Sequence, residues 1–229
     1  MSPGGYGRFL IDVFEDWVRR DIGEVYVQMF DVALANWYGQ PPGLCVHSET
    51  CGLALALEHN GDLYSCDHFV EPGYKLGNIR EKKMIDLIVL PQQREFGLAK
   101  RDTLPRYCRE CDVRFACHGG CPKDRFTVAP GGEPGLHYLC PSYKAFFGHI
   151  RPAMDAMCQL LRAGRAPAQV IDRYAKADAN EGATTHAPAV QAANGNTATA
   201  ARAARWPLPG QAAARSHELG FREAGHLTA

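Results

Sequence analysis

Cysteines are the residues of this chain best suited to bind a metal or a cluster, and there are nine of them among 229 residues. The densest group is YCRECDVRFACHGGCP, where a CxxC step is followed, five residues later, by a CxxxC step and Pro122. Thiolates spaced this closely can bind one inorganic centre together. The block therefore indicates a metal or cluster site.

Eight of the cysteines fall between Cys45 and Cys140, which fits two iron-sulfur centres. A [4Fe–4S] cluster held by protein alone takes four thiolates, and in bacterial ferredoxins the last cysteine of a CxxxC-Pro run binds the other cluster. Two tetrahedral zinc sites would use the same eight ligands, and disulfides are a further alternative. Cys158 lies in the apolar segment AMDAMCQLL and is predicted to be core.

Charge and hydropathy exclude several functions. The 25 basic and 25 acidic residues cancel, so no global field recruits nucleic acid or an anionic membrane. No apolar run is long enough to span a membrane, and the start MSPGGYGRFL does not look like a secretory signal. We expect a cytoplasmic protein, where reduced thiols favour metal binding over disulfides.

The segments before the first cysteine predict a helix and a strand. Residues 9–18 place apolar side chains on one face at helical spacing. Residues 24–30 (EVYVQMF) have the period of a strand buried on both faces. A helix followed by such a strand is typical of the end of an α/β unit.

Shorter elements are predicted among and after the cysteines. Asn60-Gly61 favours a two-residue type I′ turn in a β-hairpin that ends at Cys66. Residues 80–100 have helical spacing, and Pro91 leaves one helix or two open. A further helix is predicted over about 142–164. From about residue 173 the chain is rich in Ala, Asn and Thr, which predicts a disordered tail.

The whole cysteine pattern resembles the SPASM domain of radical SAM enzymes that modify peptides and proteins. Cys45 and Cys51 are separated by five residues, Cys51 and Cys66 by fourteen, and the dense block and a distant Cys140 follow. Within that group the chain is most similar to anaerobic sulfatase-maturating enzymes over about residues 8–172. The matching segments are ETCGLALALEHNGDLYSCDHFV, KLGNI, REFGLAK, CRECDVRFACHGGCPKDRF and YLCPSYKAFF.

The resemblance implies a division of the cysteines between two auxiliary [4Fe–4S] clusters. The first set would be Cys45, Cys51, Cys66 and Cys121. The second set would be Cys108, Cys111, Cys117 and Cys140. Gly119 and Gly120 fit a chain that turns closely around a cluster.

The resemblance also implies a reaction and a base. In the family a sulfatase Cys or Ser is oxidised to Cα-formylglycine: a 5′-deoxyadenosyl radical removes a Cβ hydrogen, a base takes the side-chain proton, and an auxiliary cluster accepts the remaining electron. The carboxylate directly after the third cysteine of the first set acts as the base, and its match here is Asp67. The implied partners are a sulfatase polypeptide and an electron donor.

One part of that chemistry has no match, because the sequence contains no CxxxCxxC motif. S-adenosylmethionine and a third [4Fe–4S] cluster would belong to a missing N-terminal radical SAM half, and the chain alone is expected to be inactive. The expected fold class is α+β, with the end of a partial TIM-type barrel at 1–40, a SPASM domain at 41–172 and the tail at 173–229. The alternatives are another SPASM peptide-modifying enzyme, or a non-catalytic module for electron transfer or peptide binding.

Overall fold

A computed structural model describes residues 3–174, which divide into two compact units. Unit 1 consists of residues 3–49 and 104–174, and unit 2 of residues 50–103. The tail predicted for 173–229 lies outside the described residues from position 175 onward. Within 3–174, no helix has both the length and the apolar character needed to cross a membrane.

The described residues contain both helices and short strands, as the predicted mixed fold requires. In chain order the elements are α1 (Pro3–Arg20), α2 (Gln28–Tyr38), β1 (Ala56–Leu57), β2 (Asp62–Tyr64), β3 (Lys75–Asn78), α3 (Met84–Ile88), α4 (Pro91–Asp102), α5 (Arg106–Arg109), α6 (Arg114–Cys117), β4 (Thr127–Val128), β5 (Pro134–Leu136) and α7 (Cys140–Arg162). Short 3-10 turns cover Cys45–His47, Pro72–Tyr74, Pro122–Asp124 and Pro167–Val170.

The core of unit 1 forms where α1 and α2 pack against α7. The predicted helix over 9–18 is confirmed within the longer α1, whose apolar face is buried. The Phe14 ring meets Phe30 edge-on at 5.1 Å and Phe146 at 6.3 Å between centroids. Burial of a side chain of this size contributes about 1.5 to 3 kcal/mol, so these rings stabilise the packing of α1 and α2 against α7.

The strand predicted over 24–30 is wrong. Val25 and Tyr26 are exposed, and the helix α2 begins at Gln28. The apolar residues of this segment continue as Phe30, Val32 and Ala33, which share the buried face of a helix. Over a few residues, alternation does not separate a strand from the first turn of a helix. The barrel remnant predicted for 1–40 is therefore not confirmed, since its helix is present and its strand is not.

The long helix α7 confirms the predicted helix at 142–164, although it begins two residues earlier. Pro152 lies inside the helix without ending it. A proline in a helix interior costs about 3 kcal/mol. Burial of Ile150, Met154 and Met157 against the core offsets this cost. Cys158 is buried on the same helix, as predicted.

Unit 2 is built on an antiparallel sheet with the strand order β1-β2-β3. The predicted hairpin is present, but its turn is one residue longer than predicted. Gly61 donates its N–H to the Glu58 carbonyl at 2.9 Å, and Gly61 alone in this turn has a positive φ, of 91°. This is a three-residue loop closed by a left-handed glycine rather than a type I′ turn.

Two helices, rather than one, cover residues 80–100. Pro91 is the first residue of α4, a position where its missing N–H has no cost. Leu87 of α3 packs with Leu63 and Leu76 of the sheet. α4 carries Phe96, which belongs to the apolar cluster that also contains Cys66.

Candidate metal centres

Four cysteines of unit 1 line one cavity. They are Cys108, Cys111, Cys117 and Cys140, the predicted second set. Cys108 lies on α5, Cys117 ends α6 and Cys140 begins α7, so three helix ends deliver the sulfurs. The cavity encloses about 310 Å³, part of which is open to solvent.

The thiols around this cavity interact electrostatically. The pKa of Cys117 is raised to about 12, chiefly by burial and also by the charges of Cys140, Cys108 and Cys111, while the Gly119 N–H opposes the rise. The pKa of Cys140 is raised to about 11, again first by burial and then by its neighbours. With pKa values this high the free thiols stay protonated near pH 7, and a bound metal would convert them to thiolate ligands because coordination removes the thiol proton.

Two kinds of metal centre could use these four thiolates. A structural zinc ion binds four thiolates, each at about 2.3 Å from one point. Across residues 3–174, no group of three or more His, Cys, Asp or Glu side chains is arranged to hold a single ion. Four cysteines that line one cavity also supply the number of thiolates that a [4Fe–4S] cluster takes.

The first predicted set is divided between the units. In unit 1, Cys45 is exposed in the turn Cys45–His47, and Cys121 is buried just before the turn Pro122–Asp124. In unit 2, Cys51 is half-buried and Cys66 is buried.

The unit 2 pair shares an apolar environment. Cys66 lies in a cluster with Phe69, Tyr74, Phe96 and Ala99, and Cys51 packs against that cluster. Burial raises the pKa of Cys66 to about 12, and the neighbouring charges of Asp67 and Cys51 contribute. The two sulfurs are therefore close neighbours in a poorly solvated region.

Asp67, the candidate base, is exposed and lies against Cys66. Its Oδ1 accepts a hydrogen bond from the His68 N–H at 3.1 Å and lies 3.2 Å from the Cys66 sulfur. Its own N–H donates to the Ala54 carbonyl at 3.1 Å. The carboxylate is thus held beside a candidate ligand on an exposed residue.

A left-handed turn joins the two sets in unit 1. His118, Gly119 and Gly120, between Cys117 and Cys121, have φ angles of 48°, 72° and 64°. Glycine is needed at positions 119 and 120, as predicted. The atoms that a Cβ would meet belong to the protein, however, and not to a cluster. A Cβ on Gly119 would lie 2.3 Å from Leu104, and a Cβ on Gly120 would lie 2.3 Å from the His137 ring.

Polar side chains elsewhere in unit 1 hold the cysteine segments in place. Asn36 of α2 donates to the His47 carbonyl at 3.1 Å and to the Ala116 carbonyl at 3.2 Å, which connects the Cys45 turn to α6. Glu133 accepts a hydrogen bond from the Arg106 N–H at the start of α5. Both contacts fix backbone next to candidate ligands.

Comparisons with known proteins identify the family of the chain. The SPASM model, described as an iron-sulfur cluster-binding domain, matches residues 49–112. A serine-type anaerobic sulfatase-maturating enzyme of Bacteroides thetaiotaomicron is 47% identical over 171 residues, covering 75% of this chain and 41% of the relative. The chain belongs to the radical SAM/SPASM family.

Other members extend the match at lower identity. A serine-type anaerobic sulfatase-maturating enzyme of Klebsiella pneumoniae is 34% identical over 151 residues, covering 66% of this chain and 36% of the relative. The solved structure of native anSMEcpe with bound AdoMet is 28% identical, with a TM-score of 0.61, covering 69% of this chain and 43% of that one. This SPASM chain thus spans less than half the length of the relatives it matches.

Two residues of unit 2 hold the backbone next to candidate cysteine ligands and were not predicted from the sequence. Gln93 of α4 is buried and donates from Nε2 to the Gly52 carbonyl at 2.9 Å and the Ser65 carbonyl at 3.1 Å. Gly97 of α4 accepts a hydrogen bond from the Cys51 N–H at 3.1 Å. A glycine inside the helical segment REFGLAK was the available signal, because such a glycine often has a packing role.

Proposed function

We propose that this chain is the auxiliary-cluster part of an anaerobic sulfatase maturase and binds two [4Fe–4S] clusters. The observation that carries the proposal is the set of four cysteines that line one cavity in unit 1. The second cluster would be held by this set. The first would be held by Cys45, Cys51, Cys66 and Cys121. The SPASM region is proposed to extend over 41–172.

Asp67 is the proposed base. Its Oδ1 accepts from the His68 N–H, which leaves Oδ2 to take the side-chain proton of a sulfatase Cys or Ser. Bound clusters would supply an acceptor for the electron left after hydrogen removal. The product would be Cα-formylglycine on the sulfatase polypeptide, the proposed substrate. A serine would give this aldehyde directly, whereas a cysteine would give a thioaldehyde that water converts to the aldehyde with release of H2S. An electron donor is the proposed redox partner.

The radical-generating step is proposed to lie outside these 229 residues. The sequence contains no CxxxCxxC motif, and the Bacteroides relative is matched over only 41% of its length. S-adenosylmethionine and a third cluster would be bound by the radical SAM half, and this chain would be inactive alone. A cytoplasmic location fits such oxygen-sensitive chemistry.

Iron analysis tests the cluster proposal. After anaerobic reconstitution we expect about eight irons and eight sulfides per chain, since each cubane cluster has four of each. Cys108→Ser should retain about four irons, because one thiolate of the second set is lost. Mössbauer spectra would identify the cluster type.

Cys158→Ala is the matched control, because this buried cysteine belongs to neither set. It should keep the full iron content. Stoichiometric zinc without sulfide in the unsubstituted chain would contradict the proposal. If Cys108→Ser and Cys158→Ala lost the same amount of iron, the assignment of Cys108 as a cluster ligand would be wrong.

The base is tested by Asp67→Asn in the chain supplied together with a radical SAM half that carries CxxxCxxC. We expect formylglycine formation to fall by about 10² to 10⁴-fold, the usual contribution of a positioned general base, at unchanged iron content. Asp86→Asn on α3, also exposed, is the control and should retain activity. An undiminished rate in Asp67→Asn would exclude Asp67 as the base.

A further inference from the structure

Arg125 is a buried cation next to the cysteine block, with only 3% of its surface exposed. Its Nε donates to the Gly119 carbonyl at 2.9 Å. Its Nη2 donates to the His118 carbonyl at 3.0 Å and to the Gly120 carbonyl at 3.2 Å. One guanidinium therefore binds three consecutive carbonyls of the turn between Cys117 and Cys121.

The left-handed conformation of the turn makes this contact geometrically feasible. In consecutive left-handed residues the carbonyls point in one direction, so a planar donor with several N–H groups can reach all of them. The conformation costs roughly 1 to 2 kcal/mol for a residue with a Cβ. His118 alone bears that cost in this turn, since its other two residues are glycines. The hydrogen bonds of Arg125 stabilise the conformation.

The opposite end of one peptide group in this turn faces the candidate cluster. The Gly119 N–H donates a hydrogen bond to the Cys117 sulfur. That N–H belongs to the same peptide as the His118 carbonyl, which Arg125 binds. A positive charge at the oxygen end polarises the peptide and strengthens its N–H as a donor. The guanidinium thus acts on the sulfur through one peptide.

A second ligand also experiences the charge of Arg125. Cys108 lines the same cavity as Gly119, whose carbonyl Arg125 binds, and it lies within reach of the Arg125 charge. A buried guanidinium needs negative charge close to it. The thiolates of the second set provide it when a cluster is bound. Arg125 and these sulfurs are therefore electrostatically matched.

We propose that Arg125 is a positioning residue for the second cluster, which fixes the turn between Cys117 and Cys121 and raises the reduction potential of that cluster. The inference depends on the proposed function, because it requires a cluster at Cys108, Cys111, Cys117 and Cys140. Hydrogen bonds to cluster sulfurs and nearby positive charge both favour the more negative, reduced state. Without Arg125 the cluster should be harder to reduce.

The test is a redox titration of the reconstituted full chain, followed by EPR, for Arg125→Gln and Arg125→Lys. Arg125→Gln removes the charge. At a fixed applied potential, we expect it to lower the ratio of reduced to oxidised second cluster at least tenfold, which is 59 mV for a one-electron couple. Arg125→Lys keeps the charge without the planar fork and should fall between. Arg20→Gln, an exposed change on α1, should leave the ratio unchanged.

The outcomes separate this inference from the function on which it depends. An unsubstituted chain without iron and sulfide overturns the proposed function. Full iron with an unchanged potential in Arg125→Gln overturns the role of Arg125. Loss of the second cluster alone in both variants, with helical content and the first cluster retained, supports the positioning role. Loss of all structure in both variants contradicts it, because Arg125 would then serve folding in general.

Discussion

The two units fix their candidate ligands with the same kind of contact but different chemistry. In unit 1, Arg125 binds the carbonyls of the turn between two ligand cysteines. In unit 2, the neutral Gln93 binds the carbonyls of Gly52 and Ser65, which directly adjoin Cys51 and Cys66. Each side chain is buried. Each satisfies backbone acceptors that would otherwise lack partners away from water.

The two side chains differ in charge. This difference predicts which of them only positions its cysteines and which also changes the reduction potential of a cluster. A neutral amide holds the Cys51 and Cys66 segments together without adding a field. A guanidinium holds its turn and also favours negative charge on the nearby sulfurs. We therefore expect changes in α4 to alter stability and cluster occupancy, and changes at Arg125 to alter the reduction potential as well.

The largest effect on the unit 2 side of this comparison is expected for Gly97→Ala. Alanine within a helix normally stabilises it by about 0.5 to 1 kcal/mol relative to glycine. Here the new Cβ would lie 2.6 Å from the backbone oxygen of Cys51. We expect a loss of about 1 to 3 kcal/mol through overpacking and a lower occupancy of the first cluster, measured by urea unfolding and iron content.

Gly148→Ala in α7 is the matched control. It is also a helical glycine, but a Cβ there would meet nothing within 4 Å. The same substitution should therefore be neutral or stabilising at position 148. If both variants gained stability, the close contact between α4 and Cys51 would not be a constraint on the fold.

Local spacing explains what the sequence could predict about the sites. Cys108, Cys111 and Cys117 are close along the chain, so their convergence follows from short helices that cannot separate them far. The hairpin was predictable for the same reason, since Asn60-Gly61 lies between two adjacent strand-like segments, although the turn itself is one residue longer than predicted. The strand at 24–30 was wrong because a short apolar run carries no information about the helix that continues it.

Contacts between distant segments explain what the sequence could not predict. Gln93 lies 41 residues from Gly52 and 28 from Ser65, and no periodicity relates these positions. Arg125 follows Cys121 closely, but its role depends on the left-handed turn at 118–120. A histidine at position 118 does not predict such a turn. The surroundings of Asp67 likewise depend on the folded position of Cys66.

The smallest effect, and the one that tests the neutral side of the comparison, is expected for Gln93→Leu. The variant leaves the Gly52 and Ser65 carbonyls without a donor, which costs about 1 to 3 kcal/mol per buried group. It also removes Oε1, a buried acceptor that has no hydrogen-bond partner among residues 3–174. We expect a net loss of about 1 to 2 kcal/mol in urea unfolding, with the potential of the second cluster unchanged.

Gln92→Leu gives the matched control on the same helix. Gln92 is half-buried and donates to the Lys75 carbonyl at 3.1 Å, where water can replace it. Its substitution should stay within about 0.5 kcal/mol of the unsubstituted chain. The comparison between the neutral Gln93 and the charged Arg125 would be wrong if Gln93→Leu shifted the reduction potential of the second cluster. An uncharged side chain would then affect the same centre as Arg125.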